Sequence, residues 1–145
     1  MVRLCGGCGL RAKVIALESY MKGMDPLEIP IKHHFSQGVY AREMFIPKGA
    51  LVVGKIHKHE QLNILSKGDV TFVTEDGPQR VTAGFHMVAT PGAKRAFYAH
   101  EDSIWTVIHG TEEKDVEKIE LHFVAQTEAE YLEYQKLIEE NKCPG

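Results

Sequence analysis

The spacing of hydrophobic and polar positions changes period twice along this chain. Over residues 10–23, apolar side chains recur at Leu10, Val14, Leu17 and Met21, with Arg11, Lys13 and Glu18 between them. That spacing predicts an amphipathic helix stopped by Gly23. Pro26 and Pro30 then predict an extended linker. From residue 38 the period falls to two. Val39 to Phe45 reads as a strand, Pro47-Lys48-Gly49 as a turn, and residues 50–58 as the next strand. Leu62 to Leu65 continues the pattern, and Lys67-Gly68-Asp69 turns into Val70 to Thr74. Glu75-Asp76-Gly77-Pro78 carries the Asp-Gly hairpin signal. Short strands follow near 79–83, 86–90, 95–99, 103–109 and 117–125. About nine short strands at even spacing predict an antiparallel barrel or jelly roll. The helical period then returns. Thr127-Glu128-Ala129-Glu130 is a capping box, followed by Tyr131, Leu132, Leu137 and Ile138. The expected architecture is all-β and one domain: a β-barrel over 38–125, a helix and extended arm over 1–37, and a helix over 126–145.

Composition narrows the function classes. A chain of 145 residues can bury one real core. A net charge of −3 argues against a nucleic-acid footprint. No apolar run is long enough to span a bilayer, and Met1 to Cys5 lacks a secretory leader's apolar region. Three cysteines do not make a disulfide framework, so a reducing, cytoplasmic setting is expected.

Candidate chemistry centres on Lys55-Ile56-His57-Lys58-His59. Strand side chains alternate, so His57 and His59 are expected on one face, with Gln61 and Asn63. Two convergent imidazoles can hold a transition metal or donate to an anion. Trp105, Val107 and His109 share a face of a later strand. Cys5-Gly6-Gly7-Cys8 has the spacing of half a zinc knuckle or a redox pair, and Cys143 could join it if the termini meet. A flexible segment without function is the blander account. The acidic run 111–115 reads as a solvated loop. There is no Gly-rich phosphate loop and no nucleophile elbow, so the reading leans against an enzyme.

Two stretches carry a family resemblance. Gly54 to Gly68 resembles the first cupin motif, and Gly84 to His100 resembles the second. The likeness covers roughly residues 38–110, about half the chain. Segments 38–43 and 101–109 are also similar to small cupin-like proteins of tailed-bacteriophage genomes. The resemblance implies a cupin-type barrel with a metal in its mouth. This chain departs from the pattern at two ligand slots. Asn63 and Ile64 stand at the spacings of the family glutamate, and Arg95 stands in the second-motif histidine slot. Arginine stays protonated and is not a metal ligand.

Two site expectations follow. In one, Arg95, His57, His59 and Gln61 converge on an anionic ligand, with Trp105 or Tyr98 as an apolar wall and Lys55 and Arg80 as helpers. In the other, a divalent transition metal is held by His57 and His59, with Gln61, His86 or His109 completing its shell. The expected function is a phage-type cupin binding a small anionic molecule. The alternatives are a virion building block with a vestigial pocket and a metal-dependent cupin enzyme. A homodimer is expected, because Ile56, Leu62 and Ile64 oppose the histidine face and need cover. The place of action is then the host cytoplasm or the virion.

Overall fold

The structure, a computed structural model, describes residues 6–24, 27–74 and 76–142. Cys5 and Cys143 lie outside the described residues, and the reading of the terminal cysteines lies there with them.

Helix α1 spans Gly6–Met21, longer at its start than the apolar spacing predicts. The segment expected as an extended arm contains a strand, β1 (Ile31–Ser36), which joins β2 (Val39–Ile46) through a hairpin at Gln37-Gly38. Residues 50–58 are not one strand. They split into β3 (Leu51–Val53) and β4 (Ile56–His57), with Gly54 and Lys55 leaving the ladder between them. Then come β5 (Gln61–Lys67), β6 (Asp69–Thr74), β7 (Gly77–Thr82), β8 (His86–Ala89), β9 (Ala96–Ala99) and β10 (Ser103–Gly110).

Residues 117–125 break the sequence expectation. Val116–Phe123 is a helix, α2, and only Val124–Ala125 is a strand, β11. Ile119, Leu121 and Phe123 alternate as a strand would, but Val116, Ile119 and Phe123 also fit a helix face. The Asp115 carboxylate decides between them, accepting the Glu117 N–H at 3.0 Å as an N-cap. Ile119 and Phe123 are buried while Leu121 is exposed, as the helical period requires. Helix α3 (Glu128–Lys142) starts where the capping box predicts, with the Glu130 N–H donating to Thr127 Oγ1 at 3.1 Å.

All strand pairs are antiparallel. One sheet runs β1-β2-β10-β5-β8 and the other β3-β9-β6-β7, with β11 paired to β4. The two sheets meet across one core that includes Met44, Leu65, Phe72, Phe97, Trp105 and Val107. Gly68 turns β5 into β6 at φ +99°, where a Cβ would meet the Asp102 carbonyl at 2.6 Å.

The terminal helices dock by charge as well as apolar contact. Arg11 and Lys94 are each only 4 % exposed. Arg11 forks onto Glu128 of α3 at 2.6 and 3.1 Å and donates to the Gly92 carbonyl at 3.1 Å. Lys94 pairs with Glu18 of α1 at 3.2 Å. Ile56, expected to need a partner subunit, is instead covered within the chain by Ala125 and Tyr131.

Candidate functional site

Alternation builds the site. The inward positions of β2 present Tyr40, Arg42 and Met44; those of β5 present Gln61 and Asn63; those of β10 present Trp105, Val107 and His109. With His57 at the end of β4, Arg95 ahead of β9 and the inner face of α2, they line a cavity of about 440 Å³. That volume suits a small organic ligand.

Most polar groups in the cavity already have partners. Trp105 Nε1 donates to Asn63 Oδ1 at 2.9 Å, and Asn63 Nδ2 donates to the Gln61 carbonyl at 3.4 Å. Tyr40 Oη and His33 Nδ1 lie 2.6 Å apart. Lys55 Nζ and Glu120 Oε1 form an ion pair of 2.6 Å, with both residues among the cavity lining. Other groups lack such partners. His57 Nδ1, His109 Nδ1 and Gln61 Oε1 are buried with no hydrogen-bond partner among the described residues. Buried orphans are uncommon and mark strain or function. Arg42, half-buried, makes no hydrogen bond or ion pair with a described residue. Arg95 sits over the Phe72 ring at 5.7 Å, with Nη1 3.5 Å from the Val73 carbonyl.

His57 and His109 are held neutral at physiological pH. Burial pushes His57 down to about 3, with His109, Arg42, Arg95 and Lys94 adding repulsion. Burial likewise lowers His109 to about 4, helped by Arg42. Each imidazole therefore offers one donor and one acceptor, and the fixed positive charge comes from arginine.

The expected site residues are only partly brought together. His57, Gln61, Arg95, Trp105, His109 and Lys55 line the cavity. His59 does not, because the strand ends at His57 and alternation ends with it. Its ring lies 4.9 Å from His122 and 5.5 Å from Phe123, and Nε2 is 3.5 Å from Tyr134 Oη. His86 is exposed on edge strand β8 beside the Gly84 carbonyl. Tyr98 is 42 % exposed, edge-on to His100. Arg80 forks onto Asp69 at 2.9 Å, away from the cavity. Sequence reasoning passed over Arg42, Tyr40 and Glu120. For Arg42 a signal existed: even spacing from Tyr40 and Met44 puts it on the inward face of its strand.

These residues do not fit a divalent cation. No group of three or more His, Cys, Asp or Glu side chains is placed to hold a metal among the described residues. The His57 and His109 rings stack at 6.2 Å between centroids, beside two guanidiniums that would repel a cation.

No family model and no curated protein matches the sequence. Solved structures do match in fold. KdgF from a Halomonas species is 20 % identical with a TM-score of 0.51, over 63 % of this chain and 86 % of that one. A putative ethanolamine utilization protein Q from Salmonella typhimurium is 12 % identical with a TM-score of 0.51, over 63 % and 76 %. The Cupin_2 domain of an XRE family transcriptional regulator from Enterobacter cloacae is 8 % identical with a TM-score of 0.50, over 60 % of this chain and all of that domain. At such identities the likeness is one of fold: this chain has a cupin-type fold of antiparallel sheets, with three helices among the described residues.

Proposed function

We propose that the protein binds a small anionic molecule in the cavity between its two sheets. The observation that carries this reading is that Arg42, on β2 of one sheet, and Arg95, just ahead of β9 of the other, both line one cavity. A guanidinium is always charged and matches carboxylate or phosphate geometry with paired donors. Neutral His57 and His109, with Gln61, add hydrogen bonds without adding charge. A place among small phage cupins rests on the sequence likeness of segments 38–43 and 101–109 alone. The two segments are neighbours on β2 and β10, with Tyr40 facing His109. Native mass spectrometry of protein purified without chelator tests the reading. A retained organic or inorganic anion is expected. Protein that carries none, and gives no calorimetric heat with carboxylates or phosphate, would sink it.

A second reading, a structural building block, draws on the outer face of the larger sheet. There Val88 and Leu62 pair across β8 and β5, 56 % and 38 % exposed, at the open edge. An apolar edge of this kind invites another chain. A homodimer is proposed through it, and co-purification with assembled particles would favour the virion role.

A further inference from the structure

Helix α2 is tied to the rest of the molecule unevenly. At its C-terminal end, Val124 continues straight into β11, which pairs with β4. Lys58 reinforces that end twice: its N–H donates to the Phe123 carbonyl at 2.8 Å and its Nζ to the Leu121 carbonyl at 2.9 Å. The N-terminal end is held differently. The Thr111 N–H donates to the Gly38 carbonyl at 3.0 Å, where β10 ends. Beyond it the N–H groups of Glu113, Lys114 and Asp115 bond within the loop itself, to Thr111 Oγ1 and Glu113 Oε1. Between its two ends α2 covers the cavity with Val116, Ile119 and Phe123, and it buries Ile119 and Phe123 against Tyr40. One charged contact crosses from α2 to the segment between β3 and β4. There Lys55 Nζ donates to Glu120 Oε1 at 2.6 Å, and both side chains are half exposed. It is the one ion pair that α2 makes among the described residues. The Gln126 side chain also bonds Glu120, from just beyond β11.

We propose that α2 is a hinged cover of the cavity, turning about Val124, and that the Lys55–Glu120 ion pair is its latch. When the latch parts, the N-terminal half of the helix lifts, Ile119 and Phe123 leave Tyr40, and the cavity opens to solvent. Exposing those two side chains is unfavourable, so the open form is a minor population. A half-exposed ion pair shifts such an equilibrium about two- to fivefold. The inference concerns access, and it holds whatever the cavity binds.

The test reads that minor population on the full chain and needs no ligand. Amide hydrogen exchange followed by mass spectrometry reports the opening of α2. Slow oxidation by tert-butyl hydroperoxide reports the opening of the cavity through Met44, which is buried in its wall. The exposed Met24 controls for the reagent. Glu120→Gln and Lys55→Gln are each expected to raise α2 exchange and Met44 oxidation about two- to fivefold, with β10 exchange and Met24 oxidation unchanged. The double variant should go no further than either single one, because both substitutions remove the same contact. Faster exchange in α2 with Met44 oxidation unchanged would make α2 loosely tied but no cover, and overturns the inference. Unchanged rates at both places overturn it as well, as do effects that add in the double variant. Exchange that quickens in β10 as much as in α2 would mark a loss of global stability instead, and overturns it too.

Discussion

At the scale of single residues, the positive charge of the cavity was half legible. Arg95 stood out because it replaces a histidine in a recognisable motif. Arg42 did not, because an arginine on a strand ordinarily faces water; its even spacing from Tyr40 and Met44 was the available signal, and its register beside Val107 shows that it turns inward. His59 failed for the opposite reason. Alternation holds only while the strand lasts, and β4 ends one residue after Ile56. Charge-assisted bonds from a fixed guanidinium contribute about 1.5–3 kcal/mol each. Arg95→Ala should therefore weaken binding of an anionic ligand about tenfold or more, and Arg42→Ala likewise. Arg95→Lys should recover only part of the loss, since an ammonium lacks the paired donors. Calorimetry on the three variants checks this, and an Arg95→Ala affinity equal to wild type would remove Arg95 from the site.

At the scale of elements, turns were the legible part. Glycine turns at Gly49 and Gly68 bounded strands where expected, and the capping box placed α3, whereas Gly77 and Pro78, expected in a turn, lie inside β7. The misreadings were short elements whose pattern suits two periods. Strand β1 was hidden in a proline-flanked arm, and α2 alternated well enough to pass for a strand. Nor could sequence show how the helices attach, since Arg11–Glu128 spans most of the chain. Gly92 is the junction of that attachment. Its N–H donates to the His57 carbonyl at 2.7 Å, and its carbonyl accepts from Arg11. It holds φ at +87°, and a Cβ would lie 2.7 Å from Tyr131 Oη and 3.0 Å from Arg11 Nη1. Gly92→Ala therefore combines backbone strain with a clash against both terminal helices. A stability loss of about 1–3 kcal/mol is expected. Denaturant melts measure it, and faster proteolysis within α1 should accompany it. An unchanged midpoint would show that the helices yield freely.

At the scale of the whole molecule, the cavity sets how stability varies with pH. His57 and His109 are held neutral, down to about 3 and about 4, whereas an unfolded histidine titrates near 6.5. Above about pH 6.5 neither state takes up these protons, and stability is unaffected. As pH falls from about 6.5 toward 4, the unfolded chain binds protons that the folded chain refuses, so the unfolded state gains. The slope reaches about 1.4 kcal/mol per pH unit for each histidine. His59, lowered by partial burial and by His122 beside it, adds to the loss in the same window. Two carboxylates act in a different window. Asp69 beside Arg80 and Glu120 beside Lys55 are held below the usual carboxylate range, so their contribution is lost only as pH falls further. Urea denaturation at about pH 7 and about pH 5 should thus show a marked loss at the lower value, carried by the histidines. The double variant His57→Gln, His109→Gln keeps hydrogen-bonding capacity at both positions but cannot titrate there, so its stability should vary less between the two, with His59 carrying part of what is left. Equal pH dependence in the variant and the wild type would show that both imidazoles are open to water in solution, and that the cavity is wetter than its lining implies.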